Sequence, residues 1–203
     1  ALLAIARSAP AEFALTSTPV TEEQASEYFS TALKHRSSGF AYPFTVRLRS
    51  SGTIVGMTRF NDIDFQHRNT QLGYTWFSPD QYGSATNVEC KLLQLTFAFE
   101  TLKLYRVSIR TDVNNERSRR AVLALGAKEE GILRRHMVTK DGRVRDTVVY
   151  SITDLDWMSP ETRQKALAKL EAFTPKIGYP VRWRDHSELD IPAGDVVAAA
   201  ANA

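Results

Sequence analysis

Residues Tyr74–Leu125 read YTWFSPDQYGSATNVECKLLQLTFAFETLKLYRVSIRTDVNNERSRRAVLAL, and the order of local signals in this stretch decides the fold. Thr70–Phe77 alternates at the strand period, with Leu72, Tyr74 and Trp76 on one face, and Pro79 stops it. The loop Tyr82–Asn87 is made of small residues and opens a helix. Val88, Leu92, Leu95, Phe99 and Leu102 recur at steps of four and three, the spacing of one helix face. Arg106–Thr111 is a second strand, and an Asn115-x-x-Ser118 turn leads into a short helix over Glu116–Leu125 that Gly126 ends. Free backbone N–H groups and the positive end of the helix dipole favour phosphate at such a loop, so the first expectation is a phosphate-bearing ligand held by backbone.

Outward from this unit, Thr21–Lys34 reads as an amphipathic helix capped by Thr21, with acidic residues in its first turn. Phe44–Arg49 and Thr53–Phe60 alternate as strands, and Ser51-Gly52 joins them as a hairpin. Gly131–Thr139 and Val144–Ile152 form a second hairpin through Lys140-Asp141-Gly142. Ser159–Phe173 reads as a helix with Pro160 at its first position. Beyond Thr174 prolines, glycines and a Val-Val-Ala-rich end point to an irregular extension. The expected organisation is one domain over residues 1–173 and a C-terminal extension over 174–203. The order helix, hairpin, strand, helix, strand, helix, hairpin, helix describes a mixed α/β (α+β) domain, mainly antiparallel, with one strand–helix–strand crossover.

The chain has 203 residues and a formal net charge of +3, too mild to require nucleic acid as a partner. Cys90 is the single cysteine, so no intrachain disulfide can form and a reducing, cytoplasmic setting is expected. The opening apolar run, Ala1–Ala6, is too short for a signal peptide, and no stretch reaches membrane-spanning length. His35, His67 and His186 have no metal-ligand spacing, and no metal is expected.

Several ordered pieces carry a resemblance. They are Gly73-Tyr74-Thr75-Trp76, Pro79, Tyr82-Gly83-Ser84-Ala85-Thr86-Asn87, Glu89 and Lys91, Thr111-Asp112 with Asn115 and Ser118, Leu125-Gly126-Ala127, Glu130-Gly131, Leu133-Arg134-Arg135-His136, and Arg145-Asp146-Thr147. Over Phe44–Trp157 the chain resembles the GNAT superfamily of N-acetyltransferases, in its ribosomal-protein (RimJ/RimL-like) branch. The family loop usually reads Arg/Gln-x-x-Gly-x-Gly/Ala. Counted back from Glu89 this chain has Tyr82, Ala85 and Asn87 at those anchors, while a register from Gln81 puts Ser84 at the glycine position. The resemblance implies a mainly antiparallel twisted sheet flanked by helices, with splayed central strands forming an acyl-CoA cleft.

It also implies acetyl-CoA as co-substrate and a primary amine as acceptor, either a protein N-terminal amine or a small molecule. The pyrophosphate would lie on Tyr82, Gly83, Ser84, Ala85, Thr86 and Asn87, and the pantetheine amides on the strand ending at Trp76 and Phe77, whose side chains by spacing alone would fill a core. Asn115 and Ser118 match cofactor-contacting positions of the family, with Ser118 as a donor to the leaving sulfur; helix capping is the competing role for both. His136 is the candidate base by its reference pKa and is expected on the face of Ile132, Arg134 and Val138. Direct attack in a ternary complex needs no acyl-enzyme, so Cys90 is expected to be inert. Phe29–Tyr42 and Lys140–Arg145 are expected on the acceptor side, and one of Arg117, Arg119 or Arg120 near the 3′-phosphate.

Two other classes compete. The arginine clusters Arg117–Arg120, Arg134–Arg135 and Arg143–Arg145 would suit a nucleic-acid surface, but no aromatics interleave with them to stack bases. The departure in the loop would suit a CoA-binding module without catalysis. Oligomeric state is not legible, although a homodimer is the commonest assembly of soluble oligomers.

Overall fold

The computed structural model describes residues 1–153, so the expected helix Ser159–Phe173, the extension over 174–203 and the boundary between them lie outside the described residues. The elements run α1 (Leu2–Ser8), a 3₁₀ turn (Pro10–Phe13), α2 (Glu22–Ser37), β1 (Ala41–Arg47), β2 (Ile54–Asp64), β3 (Asn69–Phe77), α3 (Thr86–Thr96), β4 (Arg106–Asp112), α4 (Glu116–Ala124), β5 (Lys128–Val138) and β6 (Val144–Ile152). The strands form one six-stranded sheet in the order β1-β2-β3-β4-β6-β5. Only the β3–β4 pair is parallel, because α3 crosses between them.

The sheet buries different residues on its two faces. Phe60, Leu72, Leu95, Ala98, Val107 and Val148 belong to the larger core, which α3 and α4 cover. Ala6, Phe13, Met57 and Trp76 form a smaller core under α1 and the 3₁₀ turn. Neither α1 nor that turn is legible in the sequence: both are short, and burial of Ala6 and Phe13 against the sheet holds them. Fully burying a side chain such as Leu95 contributes about 1.5–3 kcal/mol.

Two expectations from spacing change in the folded chain. Helix α3 ends at Thr96 and continues as a π-helical turn over Phe97–Thr101. Its inward line at the start runs through Lys91, Gln94 and Leu95, while Val88 is exposed. The helix is there, but it is rotated about its axis relative to its apolar stripe, because its first turns lie over the hydroxyl-bearing residues Thr58 and Thr75. In β3 the alternation fails at Tyr74. Met57 pairs with Trp76 and Arg59 with Gly73, so Tyr74 and Thr75 together oppose Thr58 as a β-bulge. Tyr74 takes φ of 52° there and is exposed, and the bulge sends Leu72 into the larger core and Trp76 into the smaller one, so the three residues do not share one buried face. Arg59 helps hold it: the guanidinium carbon lies 3.8 Å from the Tyr74 ring centre and 4.8 Å from that of Tyr28.

Just beyond the bulge, β2 and β3 approach closely at Gly56. A Cβ there would fall 2.3 Å from the Trp76 carbonyl oxygen, so only glycine fits beside Phe77.

Candidate active site

The site begins with a gap in the sheet. β3 and β4 pair only at Asn69–Arg106, Thr70–Val107 and Gln71–Ser108. Past those three pairs the strands separate, although β3 runs on to Phe77 and β4 to Asp112. The backbone of β3 that faces β4 beyond Gln71 therefore has no strand partner among the described residues, and this is the splayed cleft expected from the sequence. Trp76 and Phe77 mark the end of β3, and both side chains are buried. Their side chains pack the core while their backbone borders the opening.

The chain then enters the loop before α3. The Ser84 hydroxyl donates to the Gln81 carbonyl at 2.7 Å and accepts from the Thr86 N–H at 3.2 Å. The Thr86 hydroxyl donates to Gln81 Oε1 at 2.8 Å. These bonds close the loop on itself, and Gly83 takes the positive φ of 75° that the turn needs. The N–H groups of Gly83, Ala85, Asn87 and Val88 find no partner among the described residues. Ala85 is the helix cap and Asn87 lies inside the first turn without a capping bond. A small-residue loop with free N–H groups at a helix N-terminus fits a pyrophosphate, despite the departure from the glycine pattern.

The start of α4 comes to the same region. Asn115 caps α4, its Oδ1 accepting from the Ser118 N–H at 3.0 Å. The Ser118 hydroxyl makes no bond among the described residues and is half-buried. Arg117 lies with its guanidinium carbon 4.1 Å from the Tyr82 ring centre and pairs with Glu12 at 2.8 Å. That contact ties the loop before α3, the start of α4 and the N-terminal 3₁₀ turn together. Buried Asp112 sets the turn before α4: it accepts from the Asn114 N–H at 2.9 Å and pairs with Arg143 and Arg145.

His136 stands apart. Its Nδ1 lies 3.1 Å from the Thr147 hydroxyl, and it sits on edge strand β5, two strand positions beyond β4. At ~4.8 Å per strand that is about 10 Å of sheet. β5 carries two extra residues between Leu133, opposite Thr147, and Met137, opposite Arg145, with Arg135 at φ of 51°. The alternation breaks at this bulge. His136 lies over Thr147, the cross-strand partner of Leu133, and does not share the face of Ile132.

The side chain that sequence reasoning left without a role is Lys91. It is buried, and its Nζ reaches Thr75 Oγ1 at 2.5 Å, Thr58 Oγ1 at 3.0 Å and Gln94 Oε1 at 3.3 Å. Desolvation pulls its pKa down to about 8, against a smaller opposing effect of Cys90. Burial in turn pushes the Cys90 thiol up, away from nucleophilic thiolate character.

A model of the acetyltransferase (GNAT) domain matches residues 2–128, from α1 to the start of β5. This chain belongs to the GNAT acetyltransferase family. The Bacillus subtilis (strain 168) protein named "Putative ribosomal N-acetyltransferase YdaF" is 34% identical over 107 residues, which are 52% of this chain and 57% of that protein. The chain thus matches a little over half the length of the curated relatives it is similar to. A GCN5-related N-acetyltransferase from Brucella melitensis is similar in structure, with 28% identity, a TM-score of 0.70, and coverage of 86% of this chain and 79% of that one. Mycobacterium smegmatis RimJ, solved in complex with CoA-disulfide, shares the fold at 19% identity with a TM-score of 0.67, over 84% of this chain and 83% of that one. A peptidase family M13 model also matches residues 134–180, a short stretch that begins in β5 and β6 of the GNAT sheet and runs past the described residues. Among the described residues no three His, Cys, Asp or Glu side chains are placed to hold a metal, and no helix is long and apolar enough to cross a membrane.

Proposed function

We propose that this chain is an N-acetyltransferase that moves acetyl from acetyl-CoA to a primary amine, by direct attack while both substrates are bound. One observation carries the reading: the β3–β4 gap opens beside a loop whose N–H groups at Gly83, Ala85, Asn87 and Val88 have no partner among the described residues. The loop would hold the pyrophosphate, and the unpaired edge of β3 would receive the pantetheine amides. Arg117, which packs against Tyr82 of that loop, is in this reading the arginine that meets the 3′-phosphate of the cofactor.

The acceptor is an amine of a protein N-terminus or of a small molecule, and the likeness to YdaF favours the first. In this reading Ser118, half-buried at the start of α4, donates a proton to the leaving sulfur, and Asn115 both caps the helix and borders the ligand. His136, with Nε2 free among the described residues, is a candidate base on the acceptor side. Arginine commitments weigh against a nucleic-acid surface: Arg117 pairs with Glu12, Arg119 with Glu129, and Arg143 and Arg145 with Asp112.

Calorimetric titration with acetyl-CoA tests the reading, with Ser84→Glu beside the wild type. A carboxylate at Ser84 places like charge against the pyrophosphate, so saturable binding by the wild type and at least tenfold weaker binding by the variant are expected. No heat at millimolar acetyl-CoA would overturn the proposal.

A further inference from the structure

The buried amine of Lys91 needs a reason to be where it is. A lysine enclosed in a core without a carboxylate is costly, and hydrophobic side chains of similar length would pack α3 on the sheet at lower cost. Among the described residues its Nζ meets only uncharged oxygens: Thr58 from β2, Thr75 from β3 and Gln94 from α3. Among the described residues Cys90 is the one titratable group that bears on its charge. Of the three oxygens, Thr75 Oγ1 is the one that leads outward. Thr75 is half-buried, belongs to the bulge of β3, and stands on the part of that strand without a β4 partner. The Thr58 and Thr75 hydroxyls are also 2.7 Å apart, so the Thr75 proton can be directed to either neighbour. A buried base thus connects through one hydroxyl to the cleft.

Resting on the acetyl-transfer reading above, we propose that Lys91, acting through the Thr75 hydroxyl, receives the proton that the attacking amine loses. The amine nitrogen forms its bond to the acetyl carbon, and the C–S bond breaks with its electron pair left on sulfur. The proton shed by nitrogen goes to Thr75 Oγ1, whose own proton passes to neutral Nζ. The leaving sulfur takes its proton from the Ser118 hydroxyl, and the proton held on Lys91 passes back through Thr75 to water while water re-protonates Ser118, giving amide and thiol with Lys91 neutral again. Thr75 is the group that meets the reacting atoms, and Lys91 is a positioning residue behind it.

The experiment measures thiol release from acetyl-CoA with three amines: a peptide with a free N-terminal alanine, spermidine and benzylamine. Rates are taken from about pH 6 to 10 for the wild type, Lys91→Met, Lys91→Arg, Thr75→Val, Thr75→Ser and His136→Ala. Calorimetric binding of acetyl-CoA by each variant reports that it is folded, and the Lys91 side chain is titrated by NMR in lysine-labelled protein. The expected result is a rise of kcat/KM with a midpoint near that of the Lys91 signal. Lys91→Met and Lys91→Arg both lose about a hundredfold and flatten that rise, because arginine keeps the charge but accepts no proton. Thr75→Val falls similarly with the lysine in place, and Thr75→Ser recovers most of the loss. A wild-type rate and profile in Lys91→Arg or Thr75→Val overturns the relay, and loss of the rise in His136→Ala alone assigns the base to His136. Failure of the wild type to release thiol with any amine overturns acetyl transfer itself, a result distinct from these.

Discussion

At the scale of single residues, Lys91 couples the fold to pH. Its pKa of about 8 in the folded chain lies below the ordinary 10.5, so the unfolded chain binds more protons between those values. Stability therefore rises with pH from about 8 to about 10.5, and below about 8 the folded state carries the full cost of the buried charge, on the order of 3 kcal/mol. Urea unfolding of the wild type and of Lys91→Met at several pH values isolates this contribution. The difference between them should move by a few kcal/mol in favour of the wild type across that window, and a constant difference would mean that the amine is not buried in its charged form. The sequence singled out Lys91 within a motif but gave it no environment. Its burial follows from the rotation of α3, which no local pattern encodes.

At the scale of elements, the two helix starts differ in how they are finished. α4 is capped by its own Asn115, a role readable from the Asn115-x-x-Ser118 spacing. α3 has no side-chain bond at its cap residue, and the first-turn N–H groups of Asn87 and Val88 have no partner among the described residues. Asn115→Ala should cost about 1 kcal/mol of stability through the lost cap, read as a lower urea midpoint at unchanged slope. Acetyl-CoA affinity in the same variant separates the two roles: a drop of tenfold or more shows ligand contact beyond capping, and unchanged affinity leaves the cap alone. Strand elements were legible wherever side chains alternate. The bulges at Tyr74 and near Arg135 were not, because a bulge is a property of a strand pair, and the partner residue is remote in sequence.

At the scale of the whole molecule, Asp112 joins the end of β4 to the β5–β6 hairpin. Its carboxylate is buried, meets Arg143 and Arg145, and fixes the turn into α4 through the Asn114 N–H. Replacing it with alanine leaves half-buried Arg145 without its counter-charge and removes the larger of the two that act on Arg143. Asp112→Ala should lose about 3–5 kcal/mol, measured by urea or thermal unfolding. A loss under about 1 kcal/mol would place the pair in the class of solvated surface bridges. Because the same carboxylate sets the approach to Asn115 and Ser118, weaker acetyl-CoA binding is expected to accompany the loss.

The amino-acid sequence by itself determined the order of helices and strands, the parallel crossover through α3, the loop of small residues at its start and the family, because these rest on periodicity, turn chemistry and short-range spacing. The tertiary structure alone decided where β3 and β4 part, which face of α3 turns inward, that α1 and the turn carrying Phe13 cover the sheet, and that Lys91 lies sealed against Thr58 and Thr75. Each of these depends on contacts between residues far apart along the chain. Strand pairing, burial and the desolvation of a charge come into being only when distant segments meet, and there the local code has no further say.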